Sequence, residues 1–189
     1  MYGKIYNNKK EMFITARVVA WNKLIKKSII DETKTIFPKG LRYEDVEFFY
    51  KILPYINKVS FVKEPFIHYI QRDSSISNTQ NEKTKDIFNI LNNVLEFYKE
   101  SNLYEEYKEE LEYMYARYLL QSSFLRMIKI QDKSVRRSCL EETWNLLNNT
   151  FPNWKKNGIL NKNKTSKNMY LKTVNVHTFH LYAKLFRIM

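Results

Sequence analysis

In the stretch F-P-K-G-L-R-Y-E-D-V-E-F-F, Phe37 to Phe49, two acids stand side by side, Glu44 and Asp45. Adjacent carboxylates repel, so such a pair is either solvated surface or a place where a proton is moved. A carboxylate within hydrogen-bond reach of a hydroxyl can accept its proton as the oxygen becomes a nucleophile. The spacing that follows is helical: Val46, Phe49, Tyr50 and Leu53 recur at three and four residues, and Pro54 ends or kinks the run. Glu44 and Asp45 therefore sit at a helix N-terminus. Backbone N–H groups stabilise acids there, which makes helix capping the plain alternative. The proton affinity of the pair is pulled both ways, raised by the neighbouring charge and lowered by the helix end.

Other residue types offer less. Arg72 carries a forked, permanently charged donor suited to phosphate oxygens, or is a surface arginine near a turn. His68, between apolar neighbours, reads as structural. His177 and His180 lie three apart but no further ligand cluster accompanies them, so no metal site is expected. Cys139 has no histidine constellation near it and reads as a buried helical residue. Glycine occurs only at positions 3, 40 and 158, which excludes a glycine-rich phosphate loop. No two aspartates are separated by one residue.

The elements that must position these groups follow from the pattern. Phe13 to Leu24, rich in β-branched and aromatic residues, predicts a buried strand running into a polar turn. Lys26 to Ile36 predicts a short helix or turn, broken by Phe37-Pro38-Lys39-Gly40. Lys58 to Val62 and Pro65 to Ile70 are two more strand candidates, the second with its proline at the start. Beyond Asp73-Ser74-Ser75 the chain turns helical. Ile87, Leu91, Val94 and Tyr98 form one stripe, Leu103, Tyr107, Leu111, Met114 and Tyr118 a second, and Val135, Cys139 and Leu146 a weaker third. A linker rich in Asn and Lys, about residues 157 to 168, precedes a basic, aromatic final segment of imperfect helical spacing. The expected organisation is a mixed α and β front, residues 1–80, and a helical extension, residues 81–189.

Composition sets the class. A chain of 189 residues with 44% hydrophobic content can bury the core of one domain. Three glycines against fourteen tyrosines and twelve phenylalanines favour long ordered elements over disorder. One cysteine allows no internal disulfide, and the first residues lack the apolar core of a signal peptide, so a reducing compartment is expected. No apolar run is long enough to span a bilayer. The net charge of +12 is uneven: residues 1–30 carry +6, the region after Glu142 carries +8 with no acid, and the middle is left at −2. Two basic surfaces flanking a near-neutral body suit phosphate-bearing ligands or anionic headgroups.

Three strings in order carry a family likeness: W-N-K-L at Trp21 to Leu24, the E-D string already quoted, and E-P-F-I-H-Y-I-Q-R-D-S-S-I-S at Glu64 to Ser77. Over about residues 13 to 80 the chain resembles the second half of a family 2 glycosyltransferase of the GT-A fold, of the bacterial kind that builds capsular or lipopolysaccharide glycans. The resemblance implies an α/β fold, the carboxyl-terminal portion of that catalytic domain, with a few strands at the front and a mainly helical rear. It implies inverting transfer of a sugar from a nucleotide-sugar to an acceptor hydroxyl in cell-surface polysaccharide biosynthesis. Asp45 would be the general base, with Glu44 beside it. Tyr69, Gln71, Arg72, Ser75 and Ile76 fit the family's Y-x-x-R-x-x-S-I segment and would lie near the donor diphosphate and acceptor, with Trp21 and Asn22 lining the acceptor cleft.

Such enzymes begin with a nucleotide-binding half ending in a D-x-D motif, whose acids hold Mg²⁺ or Mn²⁺ on the diphosphate. That half is not in this sequence. The expectation is therefore a fragment that carries no cofactor of its own, is inactive alone, and needs an amino-terminal partner. The expected ligands are a nucleotide-sugar and a glycan or lipid-linked acceptor. The expected location is cytoplasmic, with peripheral contact at the inner face of the cell membrane as an option through the basic, aromatic tail. Nucleic-acid binding is the competing function for a chain this basic. Against it, the charge lies at the chain ends and no helix-turn-helix, zinc or RNA-recognition signature is present.

Overall fold

Asn8 starts the first helix: its side chain accepts the N–H of Glu11 at 3.1 Å, satisfying one of the donors that a helix start leaves free. In the computed structural model, which describes residues 5–70 and 79–188, this helix is α1 (Lys9–Thr15). A short helix α2 (Lys27–Thr33) follows, ended by Lys34 in the left-handed conformation. Gly40 at φ 78° and Tyr43 at φ 65° then turn the chain into α3 (Glu44–Ile52). The loop between them is tied to the rear of the molecule. The Arg42 N–H donates to Asp86 Oδ2 and its guanidinium to the Thr79 carbonyl, both at 2.9 Å.

The expectation of an α/β fold is overturned. Among the described residues, β structure is confined to two strands of two residues each, β1 (Ile5–Tyr6) and β2 (Val59–Ser60), paired antiparallel with Ile5 opposite Ser60. The predicted strand at Phe13 to Leu24 is instead the end of α1, an extended passage and a 3-10 turn at Ala20–Asn22. Lys58 to Val62 keeps only its two-residue pairing, and Pro65 to Ile70 has no regular structure. The reason is physical: β propensity expresses how well a residue fits a half-buried pleated surface, and two short strands do not make one. Asn8 and the burial of Met12 and Phe13 favour the helix where the residue types alone favour a strand.

The rear follows its stripes. Helices α4 (Asp86–Glu100) and α5 (Tyr104–Arg117) bury Ile87, Leu91, Val94 and Tyr98 from one and Tyr107, Leu111 and Met114 from the other. A π-helical turn at Tyr118–Ser122 leads into α6 (Phe124–Met127). Helix α7 (Lys133–Thr150) is capped by Asp132, whose carboxylate accepts the Val135 N–H at 2.9 Å. The predicted linker is more ordered than its composition suggests. Asn157 is buried, donates to the Glu109 carbonyl and to Glu112 Oε2 at 2.8 Å, and caps α8 (Gly158–Lys162). Thr165 caps α9 (Ser166–Thr173), and α10 (Val176–Ile188) closes the described chain. The polar residues that look like linker thus supply caps, Asn157 and Thr165, for which their short side chains are well suited.

One continuous core runs from Met12 to Ala183. Its centre is aromatic. Phe13 of α1 packs 4.6 Å from Tyr50 of α3 and 6.0 Å from both Tyr98 and Tyr107. The hydroxyls find backbone partners: Tyr98 donates to the Tyr50 carbonyl at 2.8 Å, and Tyr50 to the Phe13 carbonyl at 3.4 Å. Glu47, 5% exposed, joins α3 to α4. Its two oxygens take the Lys51 ammonium at 2.7 Å and the Asn93 amide at 2.9 Å. Removing a buried carboxylate strands both partners, so Glu47→Ala should lower stability by about 2 kcal/mol in urea unfolding. Glu47→Gln should cost less, because it retains one acceptor.

Candidate active site

The acid pair is split by its surroundings. Glu44 is exposed, whereas Asp45 is partly buried at the first turn of α3. Burial raises the Asp45 carboxyl above the usual carboxylate range, and the Glu44 charge adds to it. The N–H groups of Val46 and of Asp45 itself, and the Lys23 ammonium, work in the opposite direction without reversing it. A carboxylate held above its ordinary range is a better proton acceptor than a free one. Burial joins the Glu44 charge against the pull of the helix end.

Lys23 is the neighbour that sequence reasoning missed. Its ammonium donates to the Arg17 carbonyl, to the Val19 carbonyl at 2.7 Å and to Asn22 Oδ1 at 2.8 Å, and lies 5.3 Å from the centre of the Phe49 ring. Burial brings it down to about 8, against the opposing pull of Asp45. It thereby fixes the loop before the acid pair and sets a positive charge beside Asp45. The signal was present in W-N-K-L, where a lysine is flanked by residues of an otherwise apolar stretch. Lys23→Met removes all three hydrogen bonds and that charge. It should cost about 1–3 kcal/mol in urea unfolding, and a carboxyl NMR titration should move Asp45 further up.

Tyr118 is the second neighbour. The Asp45 charge helps to hold the Tyr118 phenol well above its usual value, behind burial as the main cause. Tyr118 begins the π-helical turn and its ring meets Tyr50 edge-on at 6.2 Å. Such turns redirect side chains within a helix and recur at functional sites. In the sequence this residue looked like an ordinary member of the second core stripe.

Of the remaining predicted residues, Trp21 and Tyr69 come together: their rings stack 5.5 Å apart at 14°, and both are about half exposed. Asn22 belongs to the same turn as Trp21 and binds Lys23. Trp21 and Tyr69 thus form an exposed aromatic pair, and Asn22, from the turn that carries Trp21, is held by Lys23, whose charge is felt at Asp45. Gln71, Arg72, Ser75 and Ile76 lie outside the described residues. Two concavities occur elsewhere. One of about 320 Å³ is lined by Thr35, Pro38, Glu47, Lys51 and Phe97 among others, and one of about 270 Å³ by Trp144, Asn148, Trp154 and Lys156 among others. Asp45 lines neither.

The surroundings of Asp45 do not fit a divalent cation. A Lys23 ammonium already supplies the adjacent positive charge, and Glu44 faces solvent.

Over 113 residues the chain is 31% identical to a Bacillus subtilis (strain 168) protein described as "Putative glycosyltransferase EpsH", a match covering 54% of this chain and 33% of that protein. The likeness supports a glycosyltransferase-like relationship. The chain thus spans about a third of the length of the relative it matches. No family model matches the sequence, and no solved structure matches it. Among the described residues no helix is long and apolar enough to cross a membrane.

Proposed function

We propose that this chain is the acceptor-side, carboxyl-terminal portion of a family 2 glycosyltransferase, with Asp45 as general base for transfer of a sugar from a nucleotide-sugar to an acceptor hydroxyl in cell-surface polysaccharide biosynthesis. The observation that carries the reading is Asp45 itself: a half-buried carboxyl raised by burial and by Glu44, and within electrostatic reach of Lys23, whose ammonium holds Asn22 of the Trp21 turn. Stacked aromatic faces suit the apolar faces of a sugar ring, and an adjacent carboxylate suits its hydroxyl. In the step, the acceptor O–H bond breaks as its oxygen forms the bond to the anomeric carbon. The proton passes to Asp45, and the bond to the nucleoside diphosphate breaks with the electron pair on the departing phosphate.

In this reading a donor-binding half beyond these 189 residues completes the site. Supporting this, Val62, Phe66, Ile67, Tyr69 and Ile70 are all exposed on a stretch without regular structure, an apolar surface larger than isolated side chains scattered singly. The likeness to EpsH covers a third of that protein. The test measures release of nucleoside diphosphate from a panel of nucleotide-sugars, with mixed surface glycans as acceptors. The chain is assayed alone and co-expressed with a D-x-D-bearing fragment encoded beside it. Turnover only in the combination is expected. Robust transfer by the chain alone overturns the partner requirement, and no transfer in either arm overturns the function.

A further inference from the structure

From the placement of α10 we infer that its outer face is a docking surface for an anionic lipid bilayer. This inference stands apart from the sugar-transfer reading and uses different residues. Helix α10 has two sides of different character. Inward, Phe179 is fully buried against Phe124 at 5.1 Å and Trp144 at 5.3 Å, and Ala183 lies on the same side. Tyr182 and Phe186 turn towards Tyr170 of α9, at 5.1 and 5.7 Å. Outward, Leu181 and Leu185 are 53% and 47% exposed, one helical turn apart, beside exposed Lys184, His177, His180 and Arg187.

Charge identifies the occupant. The 47 residues after Glu142 contain eight cations and no acid. Among the described residues none of those cations is in an ion pair, whereas every ion pair present involves residues up to Glu142. Unneutralised cations flanking exposed aliphatic side chains are the composition of a helix that lies in the plane of an anionic membrane surface, with its leucines dipping below the headgroups. Nucleic acid fits less well. A single-stranded nucleic acid needs exposed aromatic faces to stack on, and Phe179, Tyr182 and Phe186 of this helix are all turned inward.

The face is also preformed. Asn175 Oδ1 accepts the N–H groups of His177 and Thr178 at 2.9 and 3.0 Å, and Thr178 Oγ1 donates to the Thr173 carbonyl at 2.9 Å. The hydroxyls of Thr173 and Tyr182 meet at 2.8 Å. Helices α9 and α10 are therefore fixed to each other before any surface is met, and little ordering is left for binding to impose.

The test is flotation of the full chain with vesicles of phosphatidylcholine alone or mixed with phosphatidylglycerol. Binding to the mixed vesicles only, weakened by salt, is expected. Lys184→Glu with Arg187→Glu should reduce it by at least about 25-fold, taking roughly a fivefold change for each cation lost. Leu181→Ser with Leu185→Ser should reduce it at unchanged charge. Lys27→Glu with Lys34→Glu, at the other basic end, should leave it intact. Hydrogen exchange of the wild-type chain supplies a readout independent of any variant's folding, with vesicle-dependent protection expected across residues 176–188. Absent binding, equal binding to neutral vesicles, equal loss in the control pair, or no protection of α10 each overturns the inference. So does tight binding of a single-stranded DNA oligonucleotide that is lost in the same α10 variants.

Discussion

Asp45→Asn should cut sugar transfer by about 10²- to 10⁴-fold in the combined enzyme, the range associated with loss of a general base. Asparagine fills the same space and cannot take the acceptor proton. The same change should leave the chain slightly more stable at neutral pH. The sign follows from the raised carboxyl: the fold favours the protonated form, so its contribution is present below the unfolded carboxylate value and lost as pH rises through the folded one. An uncharged residue removes that loss. Because the side chain is only partly buried, the gain should stay below about 1 kcal/mol, and it should vanish in acid. Transfer rates together with urea midpoints at neutral and acid pH check both halves. A variant that keeps wild-type transfer removes Asp45 from the chemistry.

Phe13→Ala should be the most damaging single truncation, lowering stability by about 3–5 kcal/mol. Its ring touches Tyr50, Tyr98 and Tyr107, from three different helices, and is 1% exposed. A domain of ordinary stability holds only about 5–15 kcal/mol, so the variant should sit near its unfolding threshold. Urea unfolding followed by circular dichroism measures the loss. A shift smaller than that for Glu47→Ala would mean that α1 is held by something other than this aromatic contact.

The parts of the fold that could be read in advance are those governed by local periodicity. The spacing of Val46, Phe49 and Tyr50 places α3, and the stripe through Ile87, Leu91, Val94 and Tyr98 places α4, because a helix satisfies its own backbone and needs only one apolar side. Strands depend on neighbours that the sequence does not name, and among the described residues none pairs with Phe13 to Leu24. Motif order singled out the acid pair and Trp21, Asn22 and Tyr69 one by one, while the stacking of Trp21 on Tyr69 is a product of the fold. Lys23 did not, since its importance arises from Phe49 above it and from carbonyls four to six residues upstream. Nor did Tyr118, whose orientation depends on a π-helical turn with no clear sequence mark.

The tyrosine ladder that anchors α1, α3 and α4 has an optical corollary. Burial pushes the Tyr50 phenol up to about 12 and the Tyr98 and Tyr118 phenols well beyond their usual value. Folding therefore gains from their protons below the free phenol value and forfeits that gain as the solution becomes strongly alkaline. These rings should not ionise one by one in the native protein. Their phenolate absorbance should instead rise in a single step when the interior opens, so that an alkaline titration in the ultraviolet doubles as a label-free meter of unfolding.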